Sequence, residues 1–340
     1  MTVPISKTAP KMALSVRDLS VTFRTTDGPV SAVDRVSFEV DAGEVLAVVG
    51  ESGCGKSVTA MALAGLLPGS ATVTGSVRLG ERELVGASEQ ALRKVRGSEV
   101  AYVFQEPMTS LNPVFTVGRQ IAEVLRVHRG MGKRQAQARA VELLGLVGIP
   151  EPARRLREYP HQFSGGMRQR VMIAMALACD PAVLVADEPT TALDVTVQAA
   201  VLDLLRDLGK RLGTAIVLIT HDLGVVADIA DRVLVMYAGR VVETAGTQEL
   251  FDAPRHHYAI GLMGAVPTAA RRSEEGRLRE IPGLVPVLAE QPAACTFADR
   301  CPAADDKCRT AEPPLLPAAR PGSAGTHRAA CWHPADEEAR

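Results

Sequence analysis

A glycine-rich loop of eight residues constrains this sequence more than any other feature. Residues 50–57 read Gly-Glu-Ser-Gly-Cys-Gly-Lys-Ser and fit the pattern G-x-x-x-x-G-K-[ST]. The loop follows an apolar run at 44–49, which predicts a buried strand, and it opens a helix predicted over 58–67. Glycines let a backbone wrap closely around phosphates, and a helix N-terminus adds positive potential. The sequence therefore predicts a site for nucleotide phosphates.

Individual residues of this loop have predicted roles toward ATP and Mg²⁺. We expect Lys56 to reach the β- and γ-phosphates and Ser57 to ligate Mg²⁺. Cys54 occupies a free position of the pattern, so we interpret it as a small loop residue rather than a nucleophile. The residues predicted to contact the nucleotide here are Gly50, Ser52, Gly53, Cys54, Gly55, Lys56, Ser57 and Val58.

Two acidic residues follow a second apolar run. The run at 182–186 predicts a buried strand, and Asp187 and Glu188 come directly after it. An acid at the carboxyl end of a strand beside a phosphate loop can hold Mg²⁺, and we assign that role to Asp187. Glu188 should face a different direction and orient or deprotonate the attacking water. A strand end with solvated acids is the alternative interpretation.

The order of predicted elements indicates an α/β fold. From residue 14 to about residue 244, short apolar runs alternate with helical patterns, and no internal repeat is present. After about residue 254, prolines, alanines and charged residues dominate, which places a domain boundary near 245–270. The other predicted elements are a strand at 100–104, helices at 133–147, 167–179 and 195–212, a strand at 215–219, and a hairpin joining 233–237 to 240–244.

Composition excludes some classes of protein. Lysine and arginine total 38, aspartate and glutamate total 39, and the net charge is -1, which argues against a protein that coats nucleic acid. No apolar run approaches the roughly 18 residues of a membrane span, and the first dozen residues lack the apolar stretch of a secretory signal. We therefore expect a cytosolic chain whose membrane role, if any, depends on a partner.

A second glycine-containing segment narrows the class. The sequence Phe-Ser-Gly-Gly-Met-Arg-Gln-Arg begins at Phe163 and resembles the signature of the ATP-binding-cassette (ABC) family, a Leu-Ser-Gly-Gly-Gln-like turn at a helix N-terminus. The resemblance implies that Ser164 and the N–H groups of Gly165 and Gly166 meet the γ-phosphate of a nucleotide on the opposite subunit. Phe163 and Met167 depart from the commonest pattern but leave the serine and both glycines intact.

Other motif residues of the ABC family have counterparts in the expected order along this sequence. The resemblance implies that Gln105 senses Mg²⁺ and water, and that a Thr-Ala-Leu-Asp run ending at Asp194 crosses the dimer interface and contacts nucleotide. His221 would contact the γ-phosphate and position Glu188, although a lone histidine is more often structural. Phe23 would stack on adenine, and the alternative is an inward-packing strand residue.

Two further segments resemble one branch of the family, the oligopeptide and dipeptide import ATPases. The first is Gln-Glu-Pro-Met-Thr-Ser-Leu-Asn-Pro at 105–113, and the second is Ile-Pro-Gly-Leu-Val-Pro at 281–286, which precedes a group of cysteines. The resemblance implies peptides as the cargo, while nickel, glutathione and other small solutes use related systems. It also implies two permease subunits, a second and different ATPase chain, and an extracytoplasmic solute-binding protein, at the cytoplasmic face of the membrane.

The C-terminal cysteines suggest a metal site. Their intervals of five, six and 22 residues match neither a zinc ribbon nor the ferredoxin spacing. In some members of the branch four such cysteines hold a [4Fe–4S] cluster. Zinc, with His327 or His333 as a substitute ligand, and no metal at all remain alternatives. Cys179 is interpreted as a core residue. The four candidate cluster ligands are Cys295, Cys301, Cys308 and Cys331.

The resemblance predicts a P-loop ABC ATPase core with a helical subdomain, plus a small irregular cysteine domain. After a lead-in at 1–13, the core occupies 14–255, the helical subdomain lies at about 106–180, and the cysteine domain occupies 256–340. A soluble cassette ATPase that acts on nucleic acid or ribosomes is disfavoured, because no sustained heptads and no second cassette occur. A structural subunit with a dead site is disfavoured by the intact site residues.

Overall fold

The structure is a computed structural model, and it describes residues 12–104, 110–190, 194–264, 281–318 and 326–335. The strands are β1 (Met12–Thr25), β2 (Gly28–Asp41), β3 (Val45–Val49), β4 (Ala71–Leu79), β5 (Arg82–Glu83), β6 (Val100–Val103), β7 (Val183–Asp187), β8 (Ala215–Ile219), β9 (Arg232–Tyr237), β10 (Arg240–Gly246), β11 (Leu316–Pro317) and β12 (Arg328–Ala329). The helices are α1 (Lys56–Leu63), α2 (Glu89–Val95), α3 (Val117–Arg129), α4 (Lys133–Leu146), α5 (Pro152–Arg155), α6 (Gly165–Ala176), α7 (Val195–Leu212), α8 (Leu223–Ile229), α9 (Thr247–Asp252), α10 (His257–Gly264) and α11 (Asp306–Thr310).

The chain forms two compact units. Unit 1 contains Phe38–Glu44 and Val77–Ile216, together with the described residues up to Val16. Unit 2 contains the described residues of Arg17–Ser37, Val45–Ser76 and Val217–Arg340. The phosphate loop and the C-terminal cysteines therefore belong to the same unit.

Unit 1 combines a parallel strand pair with several helices. β6 and β7 pair in parallel, with Val100 opposite Val183 and Val103 opposite Ala186. Parallel neighbours need a crossover connection, and helices α3 to α6 lie in the chain between these two strands. α3 packs against α4, and α6 packs against α7 and β6.

The sheet of unit 2 contains a parallel strand pair, which is followed by antiparallel strands. β3 pairs in parallel with β9, β9 pairs antiparallel with β10, and the order continues through β12 to β11. β3 is buried along its whole length, as expected for a strand covered on both faces. The apolar core of unit 2 includes Val49, Val235, Tyr237, Tyr258 and Phe297. C-terminal residues therefore share a core with β3, the strand that precedes the phosphate loop.

Most predicted elements are present with small shifts at their ends. The predicted helix 58–67 begins earlier, at Lys56, and ends at Leu63, because the chain turns at Gly65 with φ of 64°. The predicted helix 167–179 begins at Gly165, since the Ser164 side chain caps it, and ends at Ala176.

The predicted hairpin is present between β9 and β10. Its two turn residues, Ala238 and Gly239, have φ of 46° and 83°, and Tyr237 lies opposite Arg240. Positive φ at both central residues is the signature of a type I′ turn, whose twist suits a two-residue hairpin. None of the described helices combines the length and the apolar character that a membrane crossing needs.

Candidate nucleotide site and cysteine pocket

The phosphate loop depends on glycine at two positions. Gly50 has φ of 155°, and a Cβ atom there would lie 2.3 Å from the carbonyl oxygen of Met236. Gly55 has φ of 103°, and its Cβ would lie 2.5 Å from the carbonyl oxygen of Ala32. Only glycine adopts such conformations at low cost and leaves room for the adjoining backbone. The sequence pattern therefore reflects both backbone conformation and close packing in unit 2.

Lys56 is the first residue of α1, and its ammonium group points into the phosphate loop. Its Nζ donates hydrogen bonds to the carbonyl oxygens of Gly50 at 2.7 Å and Glu51 at 2.8 Å, and the side chain is buried. Cys54 is fully buried, and burial raises the pKa of its thiol. A protonated, inaccessible thiol is a poor nucleophile, which agrees with the interpretation of Cys54 as a loop residue.

The two acids that follow β7 differ in environment and in backbone conformation. Asp187 ends the strand, is buried, and accepts a hydrogen bond of 2.9 Å from the Tyr102 hydroxyl in unit 1. Burial and the adjacent Asp187 carboxylate raise the pKa of Tyr102, so this hydroxyl keeps its proton. Glu188 is half-buried and has φ of 45°, a left-handed conformation that is uncommon outside glycine.

The signature segment forms the N-terminus of α6. Ser164 is the N-cap, and its side-chain oxygen accepts a hydrogen bond of 3.4 Å from the Met167 N–H. Gly166 lies against α7, where an added Cβ would be 2.4 Å from Cγ1 of Val197. The serine and the second glycine thus have local structural roles in unit 1, in addition to the predicted nucleotide contact.

The remaining predicted nucleotide residues are distributed over both units. Asp194 caps α7 through a hydrogen bond of 3.0 Å from the Val197 N–H in unit 1. In unit 2, His221 is exposed in the turn after β8, and Phe23 is half-buried near the end of β1. Gln105 lies outside the described residues, as does the run 191–193 before Asp194.

The four C-terminal cysteines line one small, mostly apolar pocket of unit 2. Phe297, Trp332 and three histidines, including His333, also line it. Burial raises the pKa of all four thiols, and burial together with the other three thiols raises the pKa of Cys331 to about 11. The cysteine side chains brought together are Cys295, Cys301, Cys308 and Cys331.

Asp305 lies close to two residues that line this pocket. Among the described residues, potential ligand atoms of Asp305, Cys308 and His333 all lie within 4.8 Å of one another. Asp305 also caps α11, and its carboxylate accepts a hydrogen bond of 2.9 Å from the Cys308 N–H. His327 instead contacts the buried Glu243, with 2.6 Å between Nε2 and Oε1. Of the two histidines considered as zinc ligands, His333 is therefore the one beside a cysteine.

Sequence reasoning missed Tyr102 and Asp305. Asp305 stands three residues before Cys308 at the start of a short helix, so its capping role has a recognisable sequence signal. Tyr102 has no such signal, because its contact with Asp187 joins residues 85 positions apart. The helix caps could thus be found from local sequence, whereas the tyrosine could not.

Two known protein families match separate regions of the chain. Residues 33–191 match the family described as "ABC transporter", and residues 242–308 match the one described as "Oligopeptide/dipeptide transporter, C-terminal region". The first match contains the phosphate loop, the signature segment and the two acids after β7, and the second contains three of the four pocket cysteines.

Curated relatives are similar over nearly the whole chain. The chain is 53% identical over 323 residues to the "Probable peptide ABC transporter ATP-binding protein y4tR" of Sinorhizobium fredii, covering 94% of this chain and 95% of the relative. It is 49% identical to the "Oligopeptide transport ATP-binding protein OppD" of Escherichia coli, covering 99% and 97%. The OppD protein of Mycobacterium bovis is 54% identical over 94% of this chain, which spans about half, 51%, of that relative.

Solved structures show the same fold. The dimeric structure of MJ0796, a bacterial ABC transporter cassette, has a TM-score of 0.62 and 29% identity, covering 69% of this chain and 98% of that one. A post-hydrolysis state of the same cassette bound to ADP and Pi has a TM-score of 0.62 and 28% identity. The chain therefore has the α/β fold of an ABC ATPase cassette. It belongs to the family of ATP-binding subunits of oligopeptide and dipeptide ABC transporters.

Proposed function

We propose that this chain hydrolyses ATP to drive the import of oligopeptides or dipeptides. The observation that carries the proposal is the presence, in one chain, of the glycine-dependent phosphate loop and of the C-terminal region matched at 242–308. The names of the relatives point to the same cargo class. Hydrolysis would reopen a dimer that ATP binding closes, and the permease would follow these two states.

The proposed chemistry divides the site residues by task. Lys56 binds the β- and γ-phosphates, and the loop N–H groups surround them. Glu188 orients or deprotonates the attacking water, and His221 positions Glu188. Mg²⁺ would neutralise charge on the phosphates, held by Ser57, Gln105 and Asp187. The remaining proposed nucleotide contacts are Phe23, Gly50, Ser52, Gly53, Cys54, Gly55, Val58, Ser164, Gly165, Gly166 and Asp194.

The proposed assembly contains several chains. Two ATPase subunits, this one and a related but different chain, sandwich two Mg-ATP. Two permease subunits cross the membrane, a solute-binding protein delivers cargo from outside, and the ATPases lie at the cytoplasmic face. The proposed domains are a lead-in at 1–13, the core at 14–255 with its helical subdomain at about 106–180, and the extension at 256–340.

The cysteine pocket is proposed to hold a [4Fe–4S] cluster. A single zinc ion on four thiolates needs sulfur atoms about 3.8 Å apart, since the Zn–S distance is about 2.3 Å. Among the described residues, the set of ligand atoms within 4.8 Å of one another joins Asp305, Cys308 and His333 rather than the four cysteines. Four thiols that line one apolar pocket suit a cluster held by cysteine alone, and the alternative is zinc on Asp305, Cys308 and His333.

The assembly is tested by purifying the tagged chain gently in detergent from its own host and identifying every accompanying protein by mass spectrometry. We expect two multi-span permeases and a second cassette ATPase, and the associated solute-binding protein should bind short peptides. Ribosomal or DNA-binding partners without a permease would contradict the importer. A solute-binding protein that binds nickel or glutathione but no peptide would contradict the cargo alone.

A further inference from the structure

Glu51, the second residue of the phosphate loop, forms hydrogen bonds with C-terminal residues of unit 2 through both its backbone and its side chain. Its backbone N–H donates a hydrogen bond of 2.7 Å to the hydroxyl oxygen of Tyr258. Its carboxylate Oε2 accepts a hydrogen bond of 3.1 Å from Nη2 of Arg300. Both partners lie within 242–308, the region matched to the oligopeptide/dipeptide transporter extension, and neither lies in the cassette match at 33–191.

Arg300 is itself fixed by its surroundings. Its side chain is only 7% exposed, and its Nε donates a hydrogen bond of 2.7 Å to the carbonyl oxygen of Pro282. Nη2 also donates to the carbonyl oxygens of Ile281 and Gly283, and Nη1 donates to the Tyr237 hydroxyl. A planar guanidinium held by several acceptors keeps its charge in one place, which a flexible surface arginine does not.

The position of Glu51 makes this charge relevant to phosphate binding. The carbonyl oxygen of Glu51 accepts a hydrogen bond from Lys56, so the residue is part of the loop that surrounds the phosphates. Its Oε1 is buried and has no hydrogen-bond partner in the part of the chain that the structure describes. A carboxylate beside this loop repels anionic phosphates unless a cation compensates it, and the repulsion is stronger where water is excluded.

We propose that Arg300 is a positioning residue for nucleotide binding, and that it acts by neutralising and fixing Glu51. The C-terminal extension thereby sets the affinity of the phosphate loop, in addition to any metal that its cysteines hold. The inference rests on the proposed function in one respect, the assignment of residues 50–57 to the nucleotide phosphates.

The test measures the affinity of the purified full chain for Mg·ADP by calorimetry, because ADP is not hydrolysed. Replacement R300Q leaves Glu51 uncompensated and should weaken binding about tenfold, or about 1.4 kcal/mol. Replacement E51Q removes the repelling charge and should bind within about threefold of the native chain. The double variant E51Q/R300Q should recover to within about threefold of E51Q, because the charge that Arg300 compensates is gone.

Two controls separate this effect from general damage. Arg309 lies nine residues after Arg300 but forms an exposed ion pair with Asp299, so R309Q should bind Mg·ADP normally. R300K keeps the charge but loses the planar set of donors, so its affinity for Mg·ADP should lie between those of the native chain and R300Q. The weakened variants should raise KM for ATP more than they lower kcat. Thermal unfolding verifies that each variant is folded, and R300M with E51Q/R300M replaces the two glutamine variants if R300Q does not fold.

Two outcomes would overturn the inference. They are an unchanged affinity in R300Q and a double variant as weak as R300Q. Failure of the native chain to bind Mg·ADP would instead contradict the nucleotide site itself. A normal native affinity with either of these two outcomes overturns only the role of Arg300.

Discussion

Glu188, the proposed general base, has an unusual backbone conformation. The residue has φ of 45° and comes directly after β7, a regular strand that ends at Asp187. Non-glycine residues in left-handed conformations cost about 1–3 kcal/mol and occur preferentially at functional sites. The turn changes the direction of the chain between the two acids, so each carboxylate can serve a different task.

Replacement of Glu188 by glutamine should stop hydrolysis and retain nucleotide. The amide keeps the shape of the side chain but cannot accept the proton of water, and loss of a general base costs about 10²–10⁴-fold in rate. Phosphate release and ATP retention by the purified transporter assembly are the measurements, with the exposed Glu142→Gln as control. Hydrolysis at the native rate would contradict the assignment of Glu188 as the base.

His256 should make the stability of the chain sensitive to acid. It is buried, and burial lowers its pKa from about 6.5 to about 3. Between these values the unfolded chain binds the proton and the folded chain does not, so the free energy of unfolding should fall as pH decreases. The fall is at most about 1.4 kcal/mol per pH unit for one such group.

Urea unfolding at several pH values from 7 to 4 tests this expectation. His256→Gln should flatten the pH dependence over that range, whereas replacing the exposed His161 should leave it as in the native chain. Parallel curves for the native chain and His256→Gln would show that other groups cause the loss of stability in acid.

At the scale of elements, the contact between α6 and α7 explains one glycine of the signature segment. A Cβ at position 166 would lie 2.4 Å from Cγ1 of Val197, and carbon atoms in packed proteins do not approach so closely. Helix packing within unit 1 therefore favours glycine at position 166, whatever its N–H contacts.

Replacement G166A should destabilise the chain by about 1–3 kcal/mol, the usual cost of overpacking. The double variant G166A/V197A should recover part of that loss, because it removes the methyl groups that clash. Urea unfolding gives both values, and V197A alone supplies the baseline. Equal stability of G166A and the native chain would show that α6 and α7 are not packed closely at this point.

At the scale of the whole molecule, the C-terminal extension serves two sites of unit 2. It supplies Tyr258 and Arg300 to the phosphate loop and also brings four cysteines to one pocket. Two of these cysteines, Cys295 and Cys301, pack against the same apolar core that contains Val49 of β3. The C-terminal residues are therefore part of the packing that supports the phosphate loop.

Anaerobic purification with iron, sulfide and zinc quantified tests the proposed cluster. Native chain should contain iron and sulfide, and Cys331→Ser should lose both, because a thiolate ligand is replaced by a hydroxyl that binds iron poorly. Cys179, buried in unit 1, is the matched control, and Cys179→Ala should retain the iron. A folded native chain without iron would contradict the cluster, and stoichiometric zinc would favour the alternative.

The amino-acid sequence alone determined the local features of this protein. The phosphate loop, the caps at Ser164 and Asp194, and the hairpin at Ala238 and Gly239 depend on backbone conformation and hydrogen bonds between near neighbours. Such features leave readable patterns, so the class of fold and the nucleotide chemistry could be inferred before the structure. Helix ends were less predictable, because a single left-handed glycine such as Gly65 can stop a helix early.

Only the tertiary structure determined which distant side chains meet. Arg300 reaches Glu51 across 249 positions, and Tyr102 reaches Asp187 across 85. Cysteine intervals likewise did not predict that Asp305 stands beside Cys308 and His333. Contacts of this kind arise when the chain folds back and buries a shared core, and their partners are chosen by packing and charge rather than by spacing in the sequence.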